Sequence, residues 1–174
     1  MLNNIPSRDG VKEAFSPKRT RIDRMYCYDV DIVLQEVPGQ ISICFSISGC
    51  PLHCKGCHSP FLWKEGNGEL LTDERYRDIL NQYRGYANCV LFMGGEWHPD
   101  ELVHKLATAK ELGFDTCLYT GQETVSDDIK SNLTWLKTGP WVEERGGLAS
   151  PQTNQRFVEV KTNKLINNQF LKTL

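Results

Sequence analysis

Cys50, Cys54 and Cys57 form a C-x3-C-x2-C triplet directly after a strongly alternating segment. Three thiolates this close can hold one face of a metal centre and leave a coordination position open. An open position serves chemistry more often than scaffolding. On spacing alone, two centres compete. A structural zinc ion requires four protein ligands, usually from two paired motifs. No second C-x2-C or H-x3-H pair occurs, so His53, cramped in the same loop, or His58 would have to be the fourth ligand. A four-iron, four-sulfur cluster held by three cysteines instead leaves one iron free for a chelating small molecule. Gly94-Gly95-Glu96 is the second group of interest, at the end of a short apolar run. Alone it reads as an ordinary strand-to-helix turn; its placement beside a cysteine loop gives it a functional reading.

The elements that must position these residues are legible from periodicity. Val30, Ile32 and Leu34 alternate up to the turn Pro38-Gly39. Ile41, Ile43, Phe45 and Ile47 then oppose Ser42, Cys44, Ser46 and Ser48, the clearest period-2 signal in the chain, which stops at Gly49. Thr72 suits an N-cap ahead of Asp73 and Glu74, with Tyr76, Ile79, Leu80 and Tyr83 at helical spacing and Gly85 as the stop. Residues 89–93 read as a strand buried on both faces. Pro99 opens a helix that runs to Leu112 and Gly113, and residues 114–120 form a further strand closed by Gly121. A helix is expected from Ser126, an apolar piece from Leu133 to Leu136 before Thr138-Gly139-Pro140, and a last strand from Arg156 to Val160.

This alternation predicts an α/β fold with a mostly parallel sheet and helices packed against it. A closed eight-fold barrel takes about 250 residues. The 174 residues here, less a polar leader, suffice for a partial, open β/α barrel. In parallel sheets the ligand sits beyond the carboxyl ends of the strands. The cysteine loop and Gly94-Gly95-Glu96 both occupy such ends and are expected to face one site.

Composition narrows the function classes. Hydrophobic residues at 40% and charged residues at 24% are ordinary for a globular domain, and a net charge of −2 gives no general nucleic-acid footprint. No apolar run approaches the roughly 18 residues of a membrane span, and residues 1–10 lack a secretory pattern, so a cytoplasmic protein is expected. Of seven cysteines, Cys27, Cys44, Cys89 and Cys117 lie in apolar strand-like runs and read as core thiols. Residues 1–24 carry a net charge of +3 with little periodicity and read as a polar basic arm. A single folded domain is expected over residues 25–160 and a tail over 161–174. His98 and His104 read as surface residues, Trp63, Trp135 and Trp141 as packing, and Asn154, Gln155 and Arg156 as a solvated loop. No Ser-His-Asp order, Walker loop or defensible carboxylate pair is present.

Residues 49–58, with their three cysteines, and Met93-Gly94-Gly95-Glu96 resemble the radical S-adenosylmethionine superfamily. Tyr119-Thr120-Gly121, Thr138-Gly139-Pro140 and Thr153-Asn154-Gln155-Arg156 together resemble the activating components of anaerobic (class III) ribonucleotide reductases. The resemblance spans roughly residues 26–160. It departs from the superfamily at two positions: Gly56 stands where many members have an aromatic residue, and Trp97 where proline usually follows Gly-Gly-Glu. It implies that Cys50, Cys54 and Cys57 ligate a [4Fe-4S] cluster whose open iron binds S-adenosyl-L-methionine. It places Gly94, Gly95 and Glu96 at the cofactor's amino group, Gly56 and His58 beside its adenine, and Tyr119 and Thr120 nearby. The activity implied is the installation of a glycyl radical on the large subunit of the reductase, with an external low-potential donor such as flavodoxin. A radical enzyme acting on another glycyl-radical enzyme or a small molecule, and a zinc-binding interaction module, are the alternatives.

Overall fold

The computed structural model describes residues 24–171. Eight strands form one sheet: β1 (Tyr26–Val33), β2 (Ser42–Ile47), β3 (Glu69–Leu70), β4 (Cys89–Met93), β5 (Asp115–Tyr119), β6 (Trp135–Thr138), β7 (Arg156–Glu159) and β8 (Lys164–Leu165). Their spatial order is β3-β1-β2-β4-β5-β6-β7-β8, and the sheet is open rather than closed into a barrel. Three helices complete the fold: α1 (Asp73–Gln82), α2 (Pro99–Glu111) and α3 (Asp127–Lys130).

The sheet is mixed, which corrects the expectation of a mostly parallel one. The β2–β4, β4–β5 and β5–β6 pairs are parallel. The β1–β2, β1–β3, β6–β7 and β7–β8 pairs are antiparallel. The cause is the connections. Parallel neighbours need a crossover, and α1, α2 and α3 supply three. Nothing helical lies between β1 and β2, which turn back on each other through Pro38-Gly39, and the β6–β7 connection also contains no helix. Strands joined without a crossover pair as neighbours of opposite direction.

The helix signals hold in detail. Thr72 caps α1, its hydroxyl accepting from the Arg75 N–H at 3.2 Å. Pro99 is the first residue of α2. Ser126 caps α3, which closes after a single turn. One face of the sheet (Ile43, Phe45, Val90, Phe92, Leu118 and Leu136) packs against Tyr76, Leu80, Leu102, Leu106 and Ile129 from the helices. The opposite face gathers Cys44, Cys89, Leu91, Cys117 and Phe157 under Val37, Leu148 and Ile166. The four core cysteines are therefore buried free thiols, as expected. Arg24 is the one residue of the polar leader among those described. The tail contributes β8 and a short 3-10 turn at Asn167–Phe170.

α1 and α2 are joined by a charged anchor. Lys105 is 1% exposed, and its Nζ lies 2.7 Å from Asp73 Oδ1 and 3.7 Å from Glu101 Oε2. The Lys105 ammonium is the main cause that holds the Asp73 carboxyl below its usual range. Among the described residues no helix is long and apolar enough to cross a membrane.

Candidate iron–sulfur site

The parallel core positions the site. β2, β4, β5 and β6 run side by side in one direction, with Ser46 paired to Met93, Met93 to Tyr119 and Tyr119 to Lys137. Their carboxyl ends therefore deliver the cysteine loop, the Gly-Gly-Glu turn, Thr120 and Lys137 to one rim, as the topology of such sheets requires.

The cysteine loop is held open by backbone hydrogen bonds. The Gly49 and Cys50 N–H groups both donate to Leu62 O, at 2.7 and 3.0 Å, and Cys57 N–H donates to Cys54 O at 3.2 Å. Gly56 turns the chain at φ +71°, a left-handed conformation that a side chain rarely adopts. All three thiols are free and half-buried. Burial is the main cause that pushes the Cys50 thiol above its ordinary value, and the charges of Glu96, Cys54 and Cys57 add to it. Among the described residues no three His, Cys, Asp or Glu side chains converge on a single-ion position.

A cleft of about 210 Å³ opens beside Cys50, lined by Gly94, Glu96, Trp97, Thr120 and Lys137 among others. Glu96 is 8% exposed. Its Oε1 accepts from the Thr120 hydroxyl at 2.5 Å, and Thr120 Oγ1 in turn accepts from the Gln122 N–H at 2.9 Å. Glu96 Oε2 is buried with no hydrogen-bond partner among the described residues. Burial pushes its carboxyl above the usual range, opposed by the Thr120 hydrogen bond and the Lys137 charge.

Lys137 faces the same cleft from β6 and is also 8% exposed. Its ammonium donates to Gly139 O at 2.8 Å and to Thr120 O at 3.3 Å. Burial lowers its pKa to about 8, while Cys54, Glu96 and Glu123 pull the other way. A desolvated ammonium thus stands near a desolvated carboxylate that has an unused oxygen. Unmatched buried groups of this kind are costly, and they collect at binding sites.

The expected residues are not all brought together. Cys50, Gly94, Glu96, Tyr119 and Thr120 line the cleft. Gly56 and His58 lie on another flank of the cysteine loop. A side chain at Gly56 would meet Glu143 Oε2 and Trp141 Nε1, at 3.3 and 3.5 Å from its Cβ, and the His58 ring sits 4.4 Å from that of Trp141. Tyr119 donates its hydroxyl to Glu36 O, which ties the ring to the β1–β2 turn. Lys137 is the residue that sequence reasoning missed; a lysine placed between Leu136 and Thr138, at an inward position of an apolar piece, was its signal. His98, expected at the surface, is buried at the start of α2, and Gln155 is buried as well.

A family model of the 4Fe-4S single cluster domain matches residues 38–137, more than half of the chain and every cleft residue just described. The chain belongs to this family. No curated protein and no solved structure matches it. As a 4Fe-4S single cluster domain, the chain is an iron–sulfur protein, consistent with a redox enzyme. Two clefts of similar volume, about 240 and 250 Å³, are lined by residues of β6 and β7 and by the approach of α2 to α3, and neither contains a residue of the triplet.

Proposed function

We propose that this 4Fe-4S single cluster domain is a radical S-adenosylmethionine enzyme that installs a glycyl radical on an anaerobic ribonucleotide reductase. In this reading Cys50, Cys54 and Cys57 ligate the [4Fe-4S] cluster, and the methionine end of the cofactor enters the cleft at Glu96. When bound, cluster and cofactor supply reductive cleavage of the sulfonium and with it a hydrogen-abstracting 5′-deoxyadenosyl radical.

One observation carries the reading: Glu96 Oε2, buried in the cleft that Cys50 lines, has no partner among the described residues. A carboxylate oxygen in that state is matched by a ligand ammonium, which would form a charge-assisted hydrogen bond in a dry site. Lys137 supplies the opposite pole from the next wall of the cleft. An α-amino acid carries one ammonium and one carboxylate on a single carbon, and the cleft offers one buried partner for each. Thr120 holds the Glu96 carboxylate through Oε1 and so leaves Oε2 for the ligand. The backbone oxygens of Thr120 and Gly139 hold the Lys137 ammonium in place without neutralising it.

The four-stranded parallel core fits a partial β/α barrel with its mouth at this rim. The electron is assigned to an external donor of the flavodoxin type, and the protein to the cytoplasm. The test is anaerobic mixing of the reconstituted protein, reductant and S-adenosylmethionine with an anaerobic reductase. A glycyl radical signal by electron paramagnetic resonance is expected. A signal that forms only on another glycyl-radical enzyme would move the substrate; cofactor cleavage with no radical on any protein would point to a small-molecule substrate.

A further inference from the structure

Trp97 stands between the two loops that build the site, in the place where the Gly-Gly-Glu motif is usually followed by proline. β2 and β4 are parallel neighbours, so the segments that leave their carboxyl ends, Ser48-Gly49 and Gly94-Gly95, travel side by side. The turn closed by His98 N–H to Gly95 O, at 2.9 Å, throws the Trp97 side chain back across both. Its indole N–H donates to Ser48 O at 3.1 Å, two residues before Cys50. Ser48 is itself fixed, buried, with its N–H donating to Tyr26 O at 3.0 Å.

The two glycines flanking this indole explain themselves by it. A Cβ on Gly94 would overlap the six-membered ring of Trp97, and one on Gly49 would lie 3.2 Å from Trp97 Nε1. Both glycines also have positive φ, +79° and +92°. The glycine at 94 therefore makes room for Trp97, whereas the resemblance assigns that room to the cofactor. At Gly95 a Cβ would make only ordinary contacts with Ile47 and Met25, so the φ of +110° is what requires glycine there. The indole is half-buried and lines the cleft together with Cys50 and Glu96.

We propose that Trp97 is a positioning residue that fixes the cysteine loop against the Glu96 turn, through one hydrogen bond and one packed ring, and so sets the cofactor's amino-acid end relative to the cluster. This inference rests on the radical S-adenosylmethionine reading above. It goes beyond it by making the spacing between the two halves of the site depend on a side chain that contacts both. The hydrogen bond and the ring can be separated: Trp97→Phe removes the N–H and keeps most of the ring, and Trp97→Leu removes both.

The experiment uses the full chain, reconstituted anaerobically, with three readouts: iron content, S-adenosylmethionine affinity by calorimetry, and the spectrum of the reduced cluster with and without cofactor. Iron content is expected to hold in Trp97→Phe while affinity falls roughly fivefold to tenfold, the worth of one hydrogen bond. Trp97→Leu should lose more affinity. The cofactor-induced spectral change in the Phe variant should broaden or split, because the cofactor no longer takes one position. A merely structural role would lower thermal stability in both variants yet leave the affinity and spectral change of the loaded fraction as in the wild type; that result overturns the proposal. Loss of iron from both variants would overturn it too, since Trp97 would then serve cluster assembly. Absence of cofactor binding by the wild type would remove the underlying reading and this inference with it. Normal wild-type binding with equal binding by both variants would remove this inference alone.

Discussion

Replacing Glu96 by glutamine separates binding from stability, because the structure predicts opposite signs for the two. Glutamine has the shape of glutamate and still presents an oxygen to the Thr120 hydroxyl, so the 2.5 Å contact keeps an acceptor. What disappears is the charge at Oε2, which has no partner among the described residues. A hydrogen bond to a charged group contributes about 1.5 to 3 kcal/mol. S-adenosylmethionine should therefore bind roughly ten- to a hundredfold more weakly to Glu96→Gln by calorimetry, with iron content unchanged. Stability moves the other way. Burial raises the folded-state pKa of Glu96, so the folded chain holds this proton more tightly than the unfolded one. Its contribution to stability is fully present below the unfolded pKa and is lost as pH rises through the raised folded value. Above that value the ionised carboxylate is a cost, and the neutral amide removes it. The cofactor-free variant should melt at the same temperature as the wild type or higher, and should lack this component of the acid-to-neutral decline. Unchanged affinity, or a large loss of stability without a loss of affinity, would refute the reasoning.

Other outcomes follow from the same structure. Lys137→Met should bind the cofactor at least tenfold more weakly, since a buried ammonium is lost. With a folded pKa of about 8, lysine at this position gives up its proton as pH rises past that value, so wild-type affinity should decline more steeply above pH 8 than that of the variant, where only the ligand's own ammonium adds to the decline. In the cofactor-free chain the lowered pKa means that stability from Lys137 increases as pH rises from about 8 towards 10.5, a rise that Lys137→Met should abolish in urea titrations. Cys54→Ala should lose the cluster and all formation of 5′-deoxyadenosine; retained cleavage would remove Cys54 from the ligand set. Asp73→Asn leaves the Lys105 ammonium, 1% exposed, with Glu101 at 3.7 Å as its remaining carboxylate. Breaking a buried pair costs about 3 to 5 kcal/mol, and the remaining carboxylate together with the half-exposed Asp73 side chain reduces that to about 2 kcal/mol. Thermal unfolding measures it. Because the Asp73 pKa is lowered, its contribution is present above the unfolded value and fades as pH falls through the lowered folded one.

The sequence revealed the elements better than their directions. β4 lies at the expected residues 89–93, α1 begins after its predicted cap Thr72 and α2 at Pro99, because apolar period and helix-start chemistry are local. The antiparallel flanks were missed although the cue was present: a strand, Pro38-Gly39 and another strand make a hairpin, which cannot be parallel. β3 and β8, two residues each, carry no period to detect. The helix expected from Ser126 is present as a single turn, capped by Ser126, before the chain enters β6.

The site divides in the same way. The cysteine spacing and Gly94-Gly95-Glu96 are visible because they are contiguous and sit at strand ends. Lys137 was hidden because its burial depends on strand pairing, which brings Thr120, far away in sequence, against it, while only Gly139 is a local partner. Trp97 stood out as a departure from the usual motif, yet its contacts with Ser48 and Gly49 exist only once β2 and β4 are paired. Gly56 and His58 are close to the cysteines in sequence, and the contacts they make with Trp141, on another flank of the loop, could not be read from the cysteine spacing.

The central claim is that three cysteines hold a four-iron cluster that cleaves a sulfonium cofactor. Anaerobic reconstitution, followed by iron and sulfide analysis and an assay for 5′-deoxyadenosine with dithionite as reductant, tests it on the wild-type chain. A brown protein with about four irons and four sulfides per chain, as a single [4Fe-4S] cluster requires, and 5′-deoxyadenosine formed from S-adenosylmethionine are expected. A colourless protein holding one zinc ion, or a full cluster that leaves S-adenosylmethionine intact under reduction, would contradict it.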